Sequence, residues 1–133
     1  MEILLATSSP TEGRTARNIL GQAGFETVTE CYDADTALAR LMEDHWDLLL
    51  TDKYLEHTNG RTLARRVRTR SRLSRLPILM IARQYTHEDV LQATRDGVDG
   101  FLVFPCPASR LREKIEDLTR DAPGTDKAVI HRL

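Results

Sequence analysis

Asp52 closes an apolar run, Trp46 to Asp52, that reads as a strand. A carboxylate at a strand end sits where doubly wound sheets collect ligands and reactive groups. It is also a common cap for the turn that follows, and this feature alone leaves both roles open. The other strand-like runs end in Thr7 and Ser8, Cys31, Ala82 and Phe104. The segment Thr7-Ser-Ser-Pro-Thr-Glu12 opens a helix, where backbone N–H groups can hold an anion or be satisfied by caps. Lys53 and Arg83 lie beside these strand ends as candidate cations. The four histidines (45, 57, 87, 131) are scattered through helix and loop segments, and no second catalytic group converges with Asp52, so an enzyme is not expected. Cys31 and Cys106 are too few for a disulfide framework or a zinc site.

Charge is segregated. Residues 61–75 hold seven arginines, at 61, 65, 66, 68, 70, 72 and 75, and no acid; against a chain total of −1, the other residues carry −8. Arg61, Arg65, Arg68 and Arg72 share a stripe if the helix beginning at Gly60 extends that far. Such a stripe suits an anionic partner or nucleic acid, or is simply a solvated face. No aromatic residue is interleaved with it, which argues against base stacking.

These side chains need elements to position them. Glu2–Ala6, Glu26–Tyr32, Trp46–Asp52, Leu76–Ala82 and Gly100–Phe104 read as strands. Between them run helical patterns. In the first, Ser9 caps, Pro10 takes the first turn and Glu12 completes a capping box, with Ala16, Ile19, Leu20 and Ala23 inward. The second starts at Asp33 and buries Ala37, Leu38, Leu41 and Met42; the third starts at Gly60 and buries Leu63, Ala64 and Val67. The fourth starts at Thr86-His-Glu-Asp89 and turns Val90, Leu91 and Thr94 inward, and the fifth runs from Pro107 to Leu118. Five βα units with strands this apolar predict a parallel sheet covered by helices on both faces. No apolar run reaches membrane-span length, and no signal-peptide pattern opens the chain, which points to the cytoplasm. Residues 1–120 make one domain and 121–133 a tail or linker.

The order and spacing of Asp-Leu-Leu-Leu-Thr-Asp (47–52), Gly60, Leu-Pro-Ile-Leu-Met-Ile (76–81), Gly97-Val-Asp-Gly100 and Pro105 resemble a response-regulator receiver domain, over about Glu2 to Leu118. The resemblance implies a flavodoxin-like sheet of strand order 2-1-3-4-5. It implies a phosphorelay role, in which Asp52 takes a phosphoryl group from a histidine kinase, and a switch aromatic at Phe101. It also exposes departures. The family's Mg²⁺-holding acid pair is Thr7 and Ser8 here, its hydroxyl residue is Ala82, and its lysine is Phe104. Phosphoryl transfer depends on positioning and charge neutralisation, and Mg²⁺ favours anionic oxygen ligands. The expected protein is therefore a pseudo-receiver that docks a partner (a kinase, another receiver or an output domain), with no metal or other cofactor. The alternatives are a conventional phosphoacceptor at Asp52, or anion or nucleic-acid binding through Arg61–Arg75. Asp52 should lack like-charged neighbours, although burial beside Phe104 raises its pKa. Cys31 and Cys106 should be free thiols, the Phe104–Pro105 bond cis, and Ala128, Val129 and Ile130 packed on the domain or a second copy in a homodimer.

Overall fold

Predominantly apolar segments become the inner strands of a sheet. In the computed structural model, which describes residues 1–120, these are β1 (Ile3–Ala6), β3 (Leu48–Asp52) and β6 (Ile78–Ala82). β2 (Val28–Cys31) and β7 (Gly100–Val103) flank them. The order is β2-β1-β3-β6-β7, all parallel, as the resemblance implied. The numbering skips because β4 (Tyr54–Leu55) and β5 (Thr58–Asn59) form a separate two-stranded antiparallel hairpin in the stretch that the sequence left irregular.

Alternate residues of each strand serve opposite faces. Leu4, Ala6, Leu49, Ile78 and Met80 pack with α2 (Ala34–Glu43), α3 (Gly60–Arg68) and α4 (His87–Arg95). Ile3, Leu5, Leu48, Leu50, Leu79 and Ile81 pack with α1 (Pro10–Gln22) and α5 (Ala108–Thr119). Both cores are closed by fully buried leucines, each worth about 1.5–3 kcal/mol of transfer free energy.

The helix starts follow their capping residues. Asp33 accepts from Thr36 N–H at 2.7 Å, Asn59 accepts from Thr62 N–H at 2.8 Å, and Thr86 and Asp89 close a full capping box. The α1 box is a correction: Ser9 Oγ accepts from Glu12 N–H at 3.3 Å, but the Glu12 carboxylate turns to Arg83 instead of back onto the cap. Met42 and Leu91, expected inward, are exposed, and Thr94 lies outside with its hydroxyl on Val90 O; Ala93 is the buried residue of α4. α3 ends at Arg68, so Arg72 leaves the stripe and sits on a 3₁₀ turn, Ser71–Leu73. The cysteines are free thiols, Cys31 buried and pushed up to about 12 by desolvation. The Phe104–Pro105 bond is cis. The packing expected of Ala128, Val129 and Ile130 lies outside the described residues.

Candidate functional site

Parallel pairing sets the strand ends side by side. Thr51 and Asp52 pair with Met80 and Ile81, Ala6 pairs with both Cys31 and Thr51, and Ala82 pairs with Val103. Three further bonds carry the ladder past the strands: Thr7 N–H to Cys31 O, Lys53 N–H to Ile81 O, and Phe104 N–H to Ala82 O. Thr7, Ser8, Asp52, Ala82 and Phe104 therefore line one pocket of about 290 Å³, as the sequence reading grouped them. Glu12, Lys53, Tyr54, Ile81, Arg83 and Gln84 complete it. Gly60 packs beneath: a Cβ there would stand 2.4 Å from the Asp52 carbonyl oxygen, so only glycine lets α3 begin so close to β3.

Few of the hydroxyls aim at Asp52. Thr7 is fully buried and its Oγ1 donates to Ser9 O at 3.1 Å; Thr51 Oγ1 donates to the carbonyl of Asp52 at 3.0 Å. Ala82 offers no hydroxyl, and Phe104 is buried among the apolar residues under α1 and α5. Asp52 itself is half-buried, and its Oδ1 accepts from Tyr54 N–H at a long 3.4 Å. Desolvation pushes its pKa up, as expected. The expectation of no like-charged neighbour is overturned: Glu12, reaching in from the first turn of α1, adds to the rise. Arg83 opposes it and pairs with Glu12 at 3.5 Å. An acid at that helix start also disfavours an anion there.

The two candidate cations already carry partners. Lys53 lines the pocket, but its Nζ reaches Asp89 Oδ2 at 2.7 Å, between the rings of Tyr54 and Tyr85. That bond holds the Asp89 carboxyl down at about 2. Arg83 is largely exposed.

Phe101 is half-buried and meets Tyr85 edge to face, with centroids 5.6 Å apart. The Tyr85 hydroxyl lies 2.9 Å from Met80 O and 3.1 Å from Leu102 O. Tyr85 escaped the sequence reading, since nothing in its loop position marks it as inward. Asp89 was legible as a cap, but its pairing with a lysine 36 residues earlier leaves no trace in local spacing.

The arginines are drawn into the fold. Arg61 binds Asp96 at 2.8 Å and Gln92 at 2.6 Å, and Arg65 reaches Asp96 at 3.5 Å. Arg66 binds Asp35 at 2.7 Å. Arg68 binds Asp99 at 2.8 Å and the carbonyls of Gly97, Leu73 and Ser74. Arg72 binds the carbonyls of Met42 and Asp44. Segregated along the sequence, the charges of Arg61, Arg65, Arg66 and Arg68 are paired with acids in space.

The comparisons with known proteins agree with this geometry. The response regulator receiver domain family matches residues 3–116. The chemotaxis protein CheY of Pseudomonas aeruginosa is 36% identical over 124 residues, covering 93% of this chain and all of that protein. The solved structure of chemotaxis protein CheY4 of Vibrio cholerae is 25% identical with a TM-score of 0.78, covering 89% of this chain and 98% of that one. A receiver domain of a histidine kinase from Syntrophus aciditrophicus shares the fold at 23% identity, with a TM-score of 0.80 and 95% of each chain covered. No helix among the described residues is long and apolar enough to cross a membrane. The chain belongs to the response regulator receiver domains, the phosphorelay modules of two-component signal transduction.

Proposed function

We propose that this receiver domain acts by docking a protein partner of a two-component pathway, a kinase, another receiver or an output domain, with Mg²⁺-dependent phosphorylation of Asp52 impaired or lost. One observation carries the reading: the pocket around Asp52 lacks the chemical parts that phosphoryl transfer uses. Thr7 and Ser8 stand where the family's acid pair would be, and Thr7 spends its hydroxyl on Ser9 O. Ala82 cannot donate to a phosphoryl oxygen, and Phe104 presents carbon where a cation would neutralise charge.

Mg²⁺ does not fit this donor set. It demands octahedral oxygen ligands and gives up water reluctantly. The second carboxylate lining the pocket, Glu12, is engaged by Arg83, and no cluster of three or more His, Cys, Asp or Glu side chains that could hold a metal occurs among the described residues. Titration calorimetry with Mg²⁺ should show no saturable heat up to millimolar metal. A one-to-one isotherm lost in Asp52→Asn would contradict the reading.

Arg83 favours a second reading. An exposed guanidinium lining the Asp52 pocket is a substitute counter-charge if it leaves Glu12, which would restore a phosphoacceptor of unusual design. Recognition of nucleic acid through Arg61–Arg75 is disfavoured by the internal partners of Arg61, Arg65, Arg66, Arg68 and Arg72.

A further inference from the structure

α4 is short of apolar anchorage. Of its nine residues only Ala93 is buried, Val90 is half-buried and Leu91 is 40% exposed. A helix with so little buried surface belongs to the easily opened part of a fold unless other ties hold it. Here two of those ties come from the segment that follows Asp52. Lys53, the next residue in the chain, binds Asp89 in the first turn of α4 at 2.7 Å, with side-chain exposures of 19% and 29%. Arg61, at the start of α3, binds Asp96 at the C-cap at 2.8 Å and Gln92 at 2.6 Å. Tyr85, next to the Thr86 cap, is the third tie: its hydroxyl lies on the carbonyls of Met80 and Leu102, on neighbouring strands, and its ring packs against Phe101.

Exposed ion pairs contribute little. These differ in being short, largely shielded and charge-assisted. Asp89 is further fixed because it also accepts from the Thr86 N–H at 2.8 Å.

We propose that Lys53, Arg61 and Tyr85 clamp α4 and Phe101 in a single conformation that does not depend on phosphate. This deepens the docking reading and rests on it, since a domain that signals without phosphate needs its face set in advance. The clamp takes the place of a triggered rearrangement: the loop bearing Asp52 is tied to α4 by side chains already in place.

Amide hydrogen exchange on the full chain tests it. In the Lys53→Met/Arg61→Met double variant, the Val90 and Leu91 amides should exchange at least tenfold faster than in the wild type, relative to the inner amides of α1, which neither side chain touches. The Tyr85→Phe variant should split the Phe101 ring resonances into two environments. Beryllofluoride with Mg²⁺ should leave wild-type α4 exchange unchanged. A double variant whose α4 exchanges no faster relative to α1, or a wild-type Phe101 ring already divided between two environments, overturns the clamp. If beryllofluoride binds at Asp52 while α4 protection stays fixed, the docking reading fails and the clamp stands. If it does not bind and the double variant leaves α4 unmoved, the clamp alone fails.

Discussion

Burial and Glu12 favour the neutral form of Asp52, while the Tyr54 and Lys53 amides and Arg83 favour the ionised one. Glu12 and Arg83 can each be removed singly. Following the Asp52 carboxyl by NMR titration, we expect a midpoint above the ordinary 3.8, lower in Glu12→Gln and higher in Arg83→Met. Identical midpoints in all three proteins would contradict the placement of Glu12. The sign carries through to stability. Because the folded state binds this proton more tightly than the unfolded chain does, the contribution of Asp52 is fully present below pH 3.8 and is lost as pH rises through the raised folded value. Asparagine cannot ionise. Asp52→Asn should therefore melt higher than the wild type at pH 7, by about 2–5 °C, with the gain shrinking as pH falls toward 4. A gain that does not depend on pH would place its origin elsewhere. At this scale the sequence named Thr7, Ser8, Asp52, Ala82 and Phe104 correctly as one pocket, because strand ends are legible from apolar runs. Glu12 and Tyr85 were hidden because their roles depend on which way a side chain turns after the backbone is set.

Helix α3 shows how an element serves the site. It must start directly behind β3, and Gly60 permits that approach. In Gly60→Ala the new methyl would press on the Asp52 carbonyl at 2.4 Å and the Met80 side chain at 2.9 Å. The backbone there cannot yield cheaply, so the variant should lose about 1–3 kcal/mol in urea unfolding. A loss below about 0.5 kcal/mol would mean that α3 shifts freely. The Asp33 cap of α2 was readable, as were most positions on the inner faces of α2 and α3, because Leu38, Leu41, Leu63 and Val67 obey helical spacing; Met42 was misplaced, and the Asn59 cap of α3 was not named. α4 was misread. Val90, Leu91 and Thr94 lie at helical spacing, yet the sheet beneath accepts only the smaller Ala93, and polar ties supply what burial does not. The hairpin β4–β5 was missed because two-residue strands are too short for any alternation to register.

For the whole molecule, the paired charges matter more than their sum. Asp35, Asp96 and Asp99, each far away in sequence, pair with Arg61, Arg65, Arg66 and Arg68, so part of the arginine-rich segment braces the fold. The parallel sheet was legible because apolar runs alternate with helical spacers, while its strand order came only through the resemblance to receiver domains. What the molecule does at Asp52 is then a question about one pocket on a well-determined scaffold. The direct test is incubation of the full chain with a small phosphodonor, with and without Mg²⁺, followed by intact-mass measurement. The account predicts no stoichiometric adduct under either condition. A Mg²⁺-dependent adduct of one phosphoryl group per chain, absent in Asp52→Asn, would contradict it and make this receiver a working phosphorylation switch.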